Sequence, residues 1–293
     1  MALSLDLDSL VAIDVHTHSE VSADGHHSMP DALMKASEKY FGATENRTPS
    51  IDEMAAFYRE RSMAAVVFTV DAEHFLQHPP VPNEDVLAGA ARHPDVLIPF
   101  VSVDPNRPDA ADIARRLVAE HDVRGFKFHP SLQGFHPDDP MAYPLYEVIS
   151  EAGVPALFHS GQTGIGARTP GGSGIKLRYS NPMALDDVAA DFPDLTVIIA
   201  HPSFPWQEEA LSVATHKSNV FIDLSGWAPK YFPPILVQYI NTVLRRQVLF
   251  GTDFPLIAPE RWITEFDALG IRDEVRPLVL RDNAIRALGL GVS

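Results

Sequence analysis

The chain has 293 residues, 45% of them hydrophobic, enough for a full apolar core and a length suited to one α/β barrel. Against 23 Lys and Arg stand 39 Asp and Glu, a net charge of −16 whose field repels phosphate backbones and anionic lipids. No basic stripe or membrane-spanning apolar run offsets this, which argues against nucleic-acid and membrane partners and leaves a small-molecule substrate as the expected one.

The segment Met1 to Leu10 lacks the basic-then-apolar order of a signal peptide, and a cytoplasmic protein is expected. A first strand is predicted over Val11–His16, followed by an irregular stretch, Ser19–Thr48. Ser50-Ile51-Asp52-Glu53 forms a capping box behind Pro49 and opens a helix through Arg59. Strands then fall at Ala64–Val70, Val96–Val103, Gly125–His129, Pro155–His159, Thr196–His201, Val220–Leu224 and Val248–Gly251. Helical patterns lie between them at Glu84–His93, Pro108–His121, Tyr143–Ala152, Met183–Phe192, Gln207–Lys217, Pro234–Leu244 and Arg261–Leu269. A second irregular stretch, Gly161–Pro182, is glycine-rich and carries Arg168, Lys176 and Arg178. Long loops on that face of a barrel serve as lids or substrate-binding segments.

Most of the strands are nearly continuous apolar runs, as needed where both faces are buried in a parallel sheet covered by helices. Eight strands alternating with helices predict a single-domain (β/α)8 TIM barrel over residues 1–293, with insertions after strands 1 and 5. The doubly wound open sheet is the alternative, and no Gly-rich phosphate loop follows strand 1 to support it.

With no cysteines, any metal site must use nitrogen and oxygen ligands. His16 and His18 close the first strand in Asp14-Val15-His16-Thr17-His18; residues two apart share a face, so both imidazoles project into the barrel mouth. His159 ends strand 5, His201 ends strand 6 and Asp253 follows strand 8. A closed barrel gathers those strand ends around one opening, where imidazoles and a carboxylate make a metal site. Lys127 and His129 share parity in strand 4 and face the interior as well.

The order His-x-His, Lys, His, His, Asp along these strands resembles the amidohydrolase superfamily. Gly-Phe-Lys-Phe-His-Pro, Ile-Ala-His-Pro-Ser and Phe-Gly-Thr-Asp-Phe-Pro are similar to its "amidohydrolase 2" branch, which includes aminocarboxymuconate semialdehyde decarboxylase. The resemblance runs from Ile13 to Leu290. It implies one divalent ion, zinc or manganese, on residues matching His16, His18, His159 and Asp253, with His201 as a nearby acid/base. Two-metal members carry a carbamylated lysine in a phrase similar to that around Lys127; in that version Lys127 bridges two ions, and His159 and His201 hold the second.

A zinc-like ion makes hydroxide available near neutral pH and polarises a substrate oxygen. Hydrolysis then uses Asp253 as proton acceptor and His201 as base or oxyanion partner, with Lys127 beside them. Decarboxylation on the same scaffold is the alternative, and a non-catalytic metal-binding barrel is the alternative outside enzymology. Arg178 and Arg168 are candidates to grip a substrate carboxylate, His129 to contact substrate, and Trp227 to form an apolar wall, although solvated arginines and a packed indole fit the same residues. A homodimer suits a soluble barrel, with Tyr231-Phe232-Pro233-Pro234 as its contact, unless that run packs under a loop.

Overall fold

The computed structural model describes residues 3–42 and 48–291; positions 43–47 of the irregular stretch Ser19–Thr48 and the two residues at each end lie outside it. The strands are β1 (Ala12–His18), β2 (Met63–Phe68), β3 (Leu97–Pro99), β4 (Phe126–Phe128), β5 (Ala156–His159), β6 (Val197–Ala200), β7 (Val220–Asp223) and β8 (Val248–Leu249). They run parallel in two arcs, β1-β2-β3 and β4-β5-β6-β7-β8. Backbone bonds close both seams. Lys127 donates to the Val101 carbonyl at 2.7 Å between β3 and β4, and Val15 donates to the Phe250 carbonyl at 3.0 Å between β8 and β1. The result is a (β/α)8 barrel.

The helices are α1 (Asp31–Phe41), α2 (Ile51–Arg59), α3 (Glu73–Leu76), α4 (Asn83–Ala91), α5 (Ala110–Glu120), α6 (Pro130–Gln133), α7 (Tyr143–Glu151), α8 (Ala184–Asp191), α9 (Gln207–His216), α10 (Pro234–Asn241), α11 (Pro259–Asp267) and α12 (Asn283–Ala287). Successive strand residues separate into two cores. Ile13, Val15, Val66, Ile98, Leu157, Ile198 and Leu249 fill the barrel interior. Their neighbours Val67, Leu97, Phe128, Phe158, Ile199 and Ile222 face outward onto Tyr58, Leu117, Ile149 and Leu211 of the helices. Both sets are buried, which is why the strands read as unbroken apolar runs.

Several elements differ from expectation. The third strand stops at Pro99 rather than Val103, although Phe100 and Val101 still bond to their neighbours. The stretch Ser19–Thr48 contains the eleven-residue α1, capped by Gly42 at φ 64°. A π-helical turn, Leu278–Asp282, precedes α12, and neither was expected. In the proposed dimer contact, Tyr231 is exposed but Phe232 is buried against the Trp262 ring.

One irregularity matters for function. Asp14 pairs with Ala65 and Thr17 with Val67, so three steps on β1 match two on β2. Ile13 and Val15 already face the interior, and strict alternation would turn His16 outward. The bulge resets the phase and brings His16 to the mouth alongside His18.

Candidate metal centre

At the C-terminal ends of β1 and β8, three donor atoms converge. His16 Nε2 and His18 Nε2 are 3.2 Å apart, and Asp253 Oδ1 lies 3.2 Å from the first and 3.0 Å from the second. Asp253 holds φ 63°, a left-handed conformation that costs free energy in a non-glycine residue and here directs the carboxylate to the histidines.

The hydrogen-bond network assigns the tautomers. His16 Nδ1 lies 2.6 Å from the buried Asp223 Oδ2 and carries the proton, leaving a lone pair on Nε2. His18 Nδ1 meets Glu20 Oε1 at 3.2 Å, with the same consequence. Two imidazole lone pairs and a carboxylate oxygen therefore face one another and repel unless a cation lies between them. A proton meets part of that need: burial alone would lower His18, but hydrogen bonds to Asp253 and Glu20 push it up to about 9. Burial would raise Asp253, yet His18, His16 and His201 together hold it well below the usual carboxylate range. A divalent ion fits this donor set of two nitrogens and one carboxylate, with Asp223 and Glu20 orienting the imidazoles from behind.

The other predicted residues surround the trio. His159 lies outside it; its Nδ1 meets His201 Nε2 at 2.9 Å. His201 Nδ1 donates to the Ser225 carbonyl at 3.0 Å, so His159 Nδ1 is the donor to His201, and His159 Nε2 keeps a lone pair. That atom is buried without a hydrogen-bond partner, as a fourth ligand position would require. His129 stacks on His159 with ring centroids 3.8 Å apart, and its Nδ1 accepts from the Leu132 amide. Burial, reinforced by neighbouring cations, holds His129 and His159 well below the usual histidine range. Lys127 Nζ lies 3.2 Å from His16 Nε2, and burial, partly opposed by Asp253 and Asp223, lowers its pKa to about 7.

These groups floor a cavity of about 230 Å³, small beside the several hundred usual for drug-sized ligands. Its apolar walls include Met29, Met34, Tyr40, Phe41, Ile165, Trp227 and Leu256. Both irregular stretches thus supply wall residues, Met34, Tyr40 and Phe41 from α1 and Ile165 from the loop after β5. They meet closely, since a Cβ on Gly164 would lie 2.1 Å from the Phe41 ring. Trp227 is half-buried and lines the cavity. Arg168 and Arg178 do not: both are exposed, Arg178 over the Tyr179 ring and Arg168 5.7 Å from the Tyr40 ring.

Sequence reasoning passed over Asp223, Glu20, Ser225 and Asp14. Asp223 was detectable in principle as a carboxylate ending an apolar strand, but its partner His16 is 207 positions away.

A closed parallel barrel with imidazoles and a carboxylate gathered at its C-terminal rim defines a (β/α)8 scaffold with a candidate metal site. The Amidohydrolase pattern of the amidohydrolase 2 branch matches residues 13–290, and the chain belongs to that family. It is similar to the uncharacterized TIM-barrel protein Bb4693 of Bordetella bronchiseptica, with 22% identity and a TM-score of 0.76 over 95% of this chain and 98% of that one. It is also similar to 5-carboxyvanillate decarboxylase of Novosphingobium aromaticivorans, solved with bound manganese, at 13% identity and a TM-score of 0.67 over 99% of this chain and 100% of that one. A stretch of 119 residues, 39% of this chain, is 25% identical to Protein fluG of Emericella nidulans, but the match spans only 13% of that relative.

Proposed function

We propose that the chain is a metal-dependent enzyme that hydrolyses a small, largely apolar, carboxylated molecule, with one divalent ion on His16, His18, His159 and Asp253. The observation that carries this reading is the convergence of three lone-pair atoms within 3.2 Å beneath an apolar cavity. A single ion is favoured over two because His159 and His201 hydrogen-bond to each other rather than framing a second cluster with Lys127. When bound, a divalent ion supplies Lewis acidity and lowers the pKa of water.

The surrounding residues define the rest of the chemistry. Asp253 receives a proton from the attacking water and returns it to the leaving group. His129, whose Nδ1 accepts a backbone N–H, carries its proton on Nε2 and offers it to a substrate oxygen. Lys127 pairs with the substrate carboxylate when protonated. His201 holds His159 in one tautomer and, through it, sets the direction of the fourth ligand. The apolar walls exclude water and strengthen each of these interactions.

Decarboxylation is the second reading. It is supported by the apolar lining, which disfavours a bound carboxylate relative to its neutral product, and by the manganese-bound decarboxylase with the same fold. A panel of small aromatic and unsaturated carboxylates and their esters and lactones, assayed in oxygen-18 water, separates the two. Incorporation of solvent oxygen identifies hydrolysis, release of carbon dioxide without incorporation identifies decarboxylation, and turnover unchanged in metal-stripped protein would sink both.

A further inference from the structure

The carboxylate of Asp14 is fully buried, two residues before the first ligand, and points away from the cavity towards α2. An isolated carboxylate in such a place is costly unless it is fully hydrogen-bonded. It accepts four bonds. Oδ1 takes the backbone N–H of His16 at 3.1 Å and that of Thr252 at 3.0 Å. Oδ2 takes the Tyr58 hydroxyl at 2.7 Å and the Thr252 hydroxyl at 2.5 Å. One side chain thus holds the bulged end of β1, the turn after β8 and helix α2.

These are the segments whose geometry is least secured by regular pairing. His16 lies inside the β1 bulge, where the register to β2 slips. Asp253 is held at φ 63°, and its amide donates to the His16 carbonyl at 3.0 Å. A strained turn and a bulge facing each other persist only when surrounding contacts over-determine them.

We propose that Asp14 is the positioning residue of the metal site: it sets the separation of His16 and His18 from Asp253 by binding both ligand-bearing segments, and Tyr58 fixes its own orientation. This rests on the metal-binding reading above, and goes beyond it by assigning the spacing of the ligands to a residue that touches neither ion nor substrate.

The test compares the full-length wild type with D14A, D14N and Y58F. It measures Zn2+ affinity by chelator competition and the visible spectrum of the Co2+-loaded protein. L117A, a core truncation on α5 at the barrel's outer layer, serves as a stability control. D14A is expected to weaken Zn2+ binding by about 10–100-fold, as loss of outer-shell partners usually does, and to change the Co2+ spectrum. D14N should restore most of the affinity, since its amide oxygen still accepts both backbone N–H groups and its NH2 can donate to the two hydroxyls. Y58F should show a smaller loss in the same direction, and it decides the matter should D14A fail to fold.

Wild-type binding matched by D14A and Y58F, or an equal loss in L117A, would overturn this proposal alone. A wild type that binds no Zn2+ would overturn the metal reading and this proposal with it.

Discussion

His16 shows how much of a candidate metal site lies behind its donor atoms. Its Nδ1 proton is held by Asp223 at 2.6 Å, inside the protein and away from solvent. That contact fixes the tautomer in which Nε2 faces Asp253. Asp223→Asn keeps the volume but lets the amide present its NH2 group to His16, so the wrong nitrogen can be left bare. Metal affinity, measured by competition with a chelator, should fall by roughly 10–100-fold with little change in the thermal stability of the metal-free protein. The arginines offer the opposite expectation. Arg168 and Arg178 are exposed and outside the cavity lining. Arg168→Ala and Arg178→Ala should therefore leave KM within about twofold, since exposed charges away from a site contribute little; a tenfold rise would place them in contact with substrate.

Among the elements, those with strong local signals formed where the sequence placed them. The capping box at Ser50 is present in full: Ser50 accepts from the Glu53 amide, and the Glu53 carboxylate accepts from the Ser50 amide at 2.8 Å. Ser50→Ala should cost about 1 kcal/mol, visible as a drop of a few degrees in Tm with activity retained. Helix α1 was missed although its signals were there, with Pro30 at its start, Asp31 in its first turn and Gly42 at its end. Its apolar side chains recur with helical spacing about as regularly as those of α2, yet only Leu33 is buried. Met34, Tyr40 and Phe41 of this helix face the cavity instead of the core. Gly251 illustrates a constraint of another kind: a Cβ there would lie 2.1 Å from Asp223 Oδ1. Gly251→Ala should displace the carboxylate that orients His16, and lower metal content and stability together, the latter by about 1–3 kcal/mol.

For the molecule as a whole, the proposed metal site would couple ion binding to stability through its donor trio. It exists only when β1 and β8 are brought side by side, so the proposed ion would bind the folded state and not the unfolded chain. A free metal concentration of 100 times Kd should stabilise the fold by about 2.7 kcal/mol. Stripping the metal should then lower Tm by about 4 °C, and adding it back should restore the loss. Equal melting curves with and without Zn2+ or Mn2+ would count against a site in this barrel. No helix among the described residues is long and apolar enough to cross a membrane.

Strand number, strand order, the interior-facing Lys127 of β4 and the positions of His16, His18, His159, His201 and Asp253 at or just after strand ends were all present in the linear pattern. Apolar runs, breakers and residue parity are local properties, and burial on both faces of a parallel barrel preserves them as continuous stretches. Three features were settled only by the closed barrel. The β1 bulge turned His16 inward, the left-handed backbone at Asp253 aimed its carboxylate, and Asp14 and Asp223 became partners of residues more than 200 positions away. Their cause is common: each depends on how strand ends meet in the closed barrel, β1 against β2 at the bulge, β1 against the turn after β8 at Asp14 and Asp253, and β1 against β7 at Asp223, and no local window of sequence spans those contacts.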